Sequence, residues 1–188
     1  MLEPGTQTPA SATAADLPLR DEEGTIRGEF VESVRSAVEA ADAETLRRLV
    51  GELHEADLGD LLEALDPDER PELITLLGDD FDFTALAEVD HAVREEILDE
   101  LPPETVAEGV RELDLDDAVY ILEGLPQEEQ DEILDQLPPP ERVALARSLQ
   151  YPEDSAGRRM QTEYIAVPPS WRVGHAIDYM RETEDLPE

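Results

Sequence analysis

The sequence predicts an all-α fold, a right-handed superhelical solenoid of short helices with about twelve residues per unit. A Leu or Val recurs every twelve residues, and small or apolar residues follow it eight and nine positions later. Hydrophobic residues make up 40% of the chain but aromatic residues only 4%, so the predicted core is aliphatic. The recurring positions are Leu53, Leu65, Leu77, Val89, Leu101, Leu113, Leu125, Leu137 and Leu149. Such a repeat buries each unit against its neighbours and is typical of scaffolds.

The first part of the chain divides into a leader and two helices. Residues 1–24 are rich in Ala, Thr, Pro and acids without an apolar period, which predicts a disordered leader. A helical pattern starts at Thr25, and a second helix is predicted from Ala43 to Leu53 with Asp42 as its N-cap. The first helix has one apolar face, formed by Phe30, Val31, Val34 and Val38.

The twelve-residue units then run to about residue 150, so residues 25–150 are predicted to form one helical-repeat domain. Several turns repeat one chemistry, such as LPPE from Leu101 and LPPPE from Leu137. Proline is tolerated in the first turn of a helix, and acids there face the positive end of the helix dipole. Each such cluster therefore starts a helix of roughly eight residues, which is too short to be stable alone.

The repeat fades after Leu149, and residues 151–188 predict the beginning of a second domain. A loop from Tyr151 precedes a β-prone stretch, residues 163–167, which ends at two prolines. Residues 171–182 show a helical pattern, with Ser170 as a plausible cap. Trp171 is expected to pack this helix on its strand. A strand and a helix alone cannot complete a sheet domain.

Charge excludes several classes of function. The 14 basic residues are all Arg, and with 49 acidic residues the net charge is −35. Such a surface repels nucleic acid and anionic lipid headgroups, and it attracts cations. Adaptation to high salt is an equally good explanation of this acidity. The absence of Cys excludes disulfides and zinc–thiolate sites, and no apolar stretch reaches the roughly 20 residues of a membrane span.

Three stretches together resemble the MgtE magnesium channels and transporters. Residues 53–62 (LHEADLGDLL) resemble the opening of that family's repeats, and residues 113–117 (LDLDD) resemble a turn in later repeats. Residues 151–167 (YPEDSAGRRMQTEYIAV) resemble its hinge and are the most specific of the three. The resemblance covers about residues 30–188.

This resemblance implies a cytosolic N domain followed by the truncated start of a first CBS domain, at 151–188. It implies a regulatory domain that senses intracellular Mg²⁺ and favours the closed pore when Mg²⁺ is bound. The implied partners are the CBS pair and the transmembrane pore of the same full-length protein, which is a homodimer. The chain itself would be soluble, at the cytoplasmic face of the cell membrane, without inserting into the membrane.

The resemblance also implies metal ligands. The first Asp of the Asp-Asp pair in the LDLDD turn contributes to Mg²⁺ binding in the family, which implicates Asp116 and its neighbour Asp117. Both could instead be ordinary helix N-terminal acids. The chain departs from the family pattern at Thr84 and Tyr120, where acids are common, and at Arg158–Arg159 in the hinge. Two arginines there could supply positive charge in place of cations.

No catalytic motif was found, and we expect that the chain is not an enzyme. One alternative function is a structural helical-repeat module, similar to flagellar motor-switch scaffolds, whose acidity reflects high-salt adaptation. In a further alternative, Mg²⁺ acts only by general screening of the negative surface charge, and the acids serve salt tolerance alone. The hinge and the stretch at 163–167 favour the magnesium hypothesis, since a scaffold needs neither.

Overall fold

The computed structural model describes residues 19–21, 23–161 and 165–183. The described residues form eleven short α-helices and two 3₁₀ turns, Gly78–Asp80 and Ala156–Arg159. The helices are α1 (Gly28–Glu39), α2 (Ala43–Val50), α3 (Glu55–Ala64), α4 (Glu69–Leu77), α5 (Ala85–Glu88), α6 (His91–Glu100), α7 (Pro103–Arg111), α8 (Leu115–Leu122), α9 (Gln127–Gln136), α10 (Pro139–Leu149) and α11 (Val173–Glu182). None of them is long and apolar enough to span a bilayer.

The helices stack in rows rather than as a simple up-and-down bundle. Helix α2 packs on α4 and α4 on α6, while α3 packs on α5, α5 on α8, and α8 on α10. Helix α7 packs on α9 in the same next-but-one manner. This pattern of contact between successive units is that of a helical-repeat stack. The prediction of an all-α repeat fold is therefore confirmed.

The predicted register of the repeat is also confirmed. Residues eight and nine positions after each recurring Leu or Val are buried from the first unit to Leu145, and only Ala146 is half-buried. The ninth position after the recurring residue includes Leu62, Ile74, Leu98, Leu122 and Leu134, and all of them are buried. Asp42 caps α2 as predicted, because its carboxylate accepts a hydrogen bond of 3.0 Å from the Thr45 backbone N–H.

The unit between Leu77 and Val89 departs from the others. A helix of roughly eight residues was expected, but the unit holds a 3₁₀ turn and the four-residue helix α5. Gly78 stops α4 with a φ of 55°, a conformation that L side chains rarely adopt. Phe81 and Phe83 are buried in this unit, with ring centroids 5.3 Å apart in an edge-to-face arrangement.

Residues after α10 differ from the prediction in two respects. Residues 165–167 form no strand, and residues 162–164 of the predicted strand lie outside the described residues. An isolated strand without a paired neighbour gains no ladder hydrogen bonds. Helix α11 begins at Val173 without a side-chain cap from Ser170. Trp171 packs edge-to-face on Tyr179 of the same helix, with ring centroids 5.5 Å apart; most of the strand on which it was expected to pack lies outside the described residues.

The predicted leader falls mostly outside the described residues, which omit residues 1–18 and 22. Near its end, Arg20 and Ile26 form an isolated antiparallel bridge. The Arg20 guanidinium forms an ion pair with Asp57, and another with Asp60 at 2.7 Å. Both acids lie on α3, so the segment before α1 is attached to the repeat stack.

Candidate metal centre

The start of α8 brings three carboxylates together. Asp114 precedes the helix, and Asp116 and Asp117 lie in its first turn. One carboxylate oxygen from each lies within 4.8 Å of the other two. Among the described residues, this is the group of acids or histidines whose geometry fits a metal ion. The structure thus places the two acids predicted from the sequence, Asp116 and Asp117, in one cluster with Asp114.

Local sequence explains the arrangement. Asp114 has extended backbone angles, φ −58° and ψ 148°, and its carbonyl accepts the first helical hydrogen bond, from Ala118 at 2.9 Å. Its side chain makes no capping hydrogen bond to the helix, which leaves the carboxylate available for other partners. The free N–H groups and the dipole at a helix N-terminus favour negative charge there.

Gln161 reaches this cluster from the segment after α10. Its side-chain amide donates to Asp114 Oδ2 at 3.0 Å and to Asp116 Oδ1 at 2.8 Å. The two amide hydrogens therefore supply partial positive charge between two carboxylates. Gln161 lies 45 residues beyond Asp116, and no motif in the sequence connects them.

Asp117 is the electrostatically strained member of the cluster. Burial raises the pKa of its carboxyl, and the negative charges of Asp116, Asp114 and Glu55 raise it further. Two unit charges 4 Å apart repel by about 1 kcal/mol in water and by about 4 kcal/mol at the effective dielectric of a protein surface. A cation placed among these carboxylates would reverse the sign of that interaction.

The remainder of the same helix face carries Tyr120, one of the positions at which the chain departs from the family pattern. Tyr120 and Glu123 follow Asp116 at helical spacing of four and seven residues, which aligns them on one face. Arg94 and Arg159 lie over the Tyr120 ring, with guanidinium carbons 4.3 and 5.3 Å from its centroid. Two arginine side chains therefore contact Tyr120, at a position where the family often has a carboxylate.

Thr84 lies away from the cluster. It immediately precedes α5, and its backbone N–H and hydroxyl both donate to Asp82. It therefore closes a local turn. The position thus supplies no carboxylate toward α8.

The donor set suits a hard divalent cation. Mg²⁺ prefers oxygen ligands, keeps several of its waters, and usually takes one or two protein carboxylates. Asp114, Asp116 and Asp117 could supply those oxygens, and Gln161 could supply a hydrogen-bonding group to a coordinated water. The sequence pattern identified the two acids of the pair but not Asp114 as a third member of the cluster, although its spacing, two residues before Asp116, was the available signal.

Comparison with solved structures supports the fold. The chain is similar to the crystal structure of the soluble part of a magnesium transporter, with 22% identity over 84% of this chain and 64% of that chain, and a TM-score of 0.63. It is also similar to the cytosolic domain of the Mg²⁺ channel MgtE in complex with ATP, with 29% identity over 80% of this chain and 62% of that one, and a TM-score of 0.66. The chain thus spans less than two thirds of each of these proteins.

Among curated proteins, no match was found. Residues 53–154 match the family described as the MgtE intracellular N domain. The matched region contains α3 through α10 and the acidic cluster, and it covers more than half of the chain. This chain therefore belongs to the MgtE intracellular N domain family.

Proposed function

We propose that this chain is the cytosolic regulatory part of a magnesium channel or transporter, and that it senses Mg²⁺ through Asp116 and Asp117, assisted by Asp114. The observation that carries the proposal is the meeting of three carboxylates within 4.8 Å at the start of α8. The family membership supports the proposal, since the two similar solved structures are parts of a magnesium transporter and of a Mg²⁺ channel.

The proposed mechanism is electrostatic. The net charge of −35 opposes close approach of acidic surfaces. Bound Mg²⁺ would neutralise the cluster and favour a compact arrangement with the pore closed. When Mg²⁺ is depleted, repulsion would separate the parts and allow opening. An ion shifts such an equilibrium only by its difference in affinity for the two states.

The domain division proposed for this mechanism is a leader at 1–24, the repeat domain at 25–150, and the start of a CBS domain at 151–188. The CBS pair and the pore of the full-length homodimer would be its partners. The role is binding and regulation rather than catalysis. The cluster supports this role because the segment after α10 already contacts it through Gln161.

The test compares thermal melting in millimolar Mg²⁺ with melting in NaCl at matched ionic strength. A specific ion at a hundredfold excess over its Kd stabilises the folded state by about 2.7 kcal/mol. We expect Asp116→Asn to lose part of this extra stabilisation, since a CBS surface would complete the site. Glu108→Gln, an exposed change in the middle of α7, should respond as the parent does.

An Asp116→Asn variant that responds to Mg²⁺ as strongly as the parent would contradict the site. The alternative function, an interaction scaffold with a salt-adapted surface, would then be favoured. That alternative predicts equal stabilisation by Mg²⁺ and by NaCl of matched ionic strength in the parent and in both variants.

A further inference from the structure

The hinge segment, residues 151–161, lies along α8 and is bound there mainly by arginines. The Arg158 side chain is buried, with only 5% of the residue exposed. Its guanidinium donates to the Leu149 carbonyl and, at 3.1 Å, to the Tyr151 carbonyl. These bonds hold the end of α10 and the start of the hinge segment around one fixed charge.

A single carboxylate at the C-cap of α8 completes the contact. Glu123 accepts from Arg158 Nε at 3.3 Å through one oxygen and from Arg159 at 2.6 Å through the other. The Glu123 side chain is 18% exposed, so both ion pairs are partly shielded from water. Charge-assisted bonds of this kind are stronger than neutral ones. Arg159 also lies over the Tyr120 ring, as described above.

Packing fixes the path of the segment between these charges. Gly157 lies against the Tyr151 ring, and a Cβ at this position would approach Tyr151 Cδ1 to 2.9 Å. A larger residue would therefore displace the ring. The tight turn brings Arg158 and Arg159 onto the same carboxylate.

We propose that an arginine clamp, formed by Glu123, Arg158 and Arg159, docks the hinge segment on α8 without any bound cation. Two arginine charges, held by one carboxylate, perform a task that a divalent ion between two acidic surfaces could otherwise perform. Attachment of the hinge segment through the two arginines would therefore not require the divalent ions proposed for the acidic cluster, which lies at the other end of the same helix face. The inference does not depend on the proposed Mg²⁺ site.

Trypsin provides a direct measure of docking, because it cleaves after Arg158 and Arg159 only when the hinge segment opens. Glu123→Gln removes the shared charge and leaves both cleavage sites intact. In EDTA, we expect cleavage at these sites to be at least about tenfold faster in Glu123→Gln than in the parent, the effect of losing a bond to a charged group. Glu141→Gln, which breaks the exposed pair with Arg111 at 2.8 Å, should leave the rate unchanged.

The parent should already resist cleavage at these sites in EDTA, before any Mg²⁺ is added. Equal rates for the parent and Glu123→Gln in EDTA, or protection of the parent only after Mg²⁺ is added, would overturn the proposal. If circular dichroism shows that Glu123→Gln has lost its helices, Arg159→Gln decides the question. The Arg159 side chain is 44% exposed, so this variant should stay folded. Amide exchange at residues 156–161 should accelerate in it, and unchanged exchange would refute the clamp.

Discussion

Asp117 shows how a single residue combines a folding penalty with a capacity for binding. Its carboxyl is half-buried beside two other acids, and its pKa is raised by burial and by their charges. A raised pKa means that the folded state prefers the protonated form. Ionised Asp117 therefore opposes folding at neutral pH, and a cation would relieve that penalty.

Asp117→Asn should stabilise the chain at pH 7 in EDTA, because it removes the repulsion between Asp117 and the neighbouring carboxylates. Solvent screening limits the gain in unfolding free energy to about 1 kcal/mol at most. For a raised pKa, the stability given by the protonated carboxyl is complete below the reference pKa of 3.8 and is lost as pH rises through the folded-state pKa. The advantage of the variant should therefore vanish as the pH falls toward that reference value. Thermal melts across this pH range test the prediction, with Glu108→Gln as the control for loss of one charge. A variant less stable than the parent at pH 7 would contradict it.

At the scale of single residues, the sequence predicted the acid pair but not the side chains that contact the cluster and the helix around it. The Asp116–Asp117 pair is local, so a motif could identify it. Gln161 lies 45 and 47 positions from its two partners, and Glu123 lies 35 and 36 positions from its own. Their roles depend on how α10 folds back on α8, which no local pattern encodes.

Individual helices are joined by buried polar side chains that reach backward along the chain. Arg70 donates to the Leu62 carbonyl at 2.9 Å, Arg94 to the Leu86 carbonyl at 3.2 Å, and Gln130 to the Leu122 carbonyl at 3.2 Å. Each spans eight residues and donates to a carbonyl near the end of an earlier helix, where intrahelical partners run out. The Leu62 and Leu122 carbonyls also accept from the backbone N–H groups of Leu65 and Leu125. The apolar period predicted where the helices lie. It did not predict these buried polar side chains, because they occupy positions outside the recurring apolar set.

Replacement of Gln130 by Met removes two hydrogen bonds at one helix junction. Gln130 also donates to the Leu125 carbonyl at 2.8 Å, and it is 8% exposed. The variant should lose about 1–3 kcal/mol of unfolding free energy, because the Leu125 carbonyl loses its side-chain donor in a buried environment. The Leu122 carbonyl keeps only the Leu125 N–H, at 3.1 Å. Gln127→Met is the matched control in the same helix, since Gln127 is exposed and should change stability by less than about 0.5 kcal/mol. Urea denaturation of both variants makes the comparison, and equal midpoints would contradict the prediction.

The molecule as a whole depends on cooperation between units that are individually unstable. Helices of four to twelve residues do not persist alone in water, so the stack must gain its stability from contacts between neighbours. The helical-repeat architecture could be predicted from the sequence, because the twelve-residue period is repeated locally in every unit. The structure of the region after α10 could not be predicted in the same way, because a strand forms only with a pairing partner that the local sequence does not specify.

Leu122→Asp should unfold the entire stack rather than α8 alone. Leu122 is 0% exposed, and an unpaired buried carboxylate adds to the lost apolar burial, for a loss of about 4–5 kcal/mol or more. That loss approaches the total stability of an ordinary domain. Because each unit supports the next, amide protection should also disappear at Leu46 in α2, far along the stack. Val143→Asp is the matched control, since Val143 is 67% exposed. It should melt as the parent does, apart from a small effect of added charge.

An unchanged melting curve for Leu122→Asp would refute the register. Loss of amide protection confined to α8 and its direct contacts would refute the cooperativity of the stack.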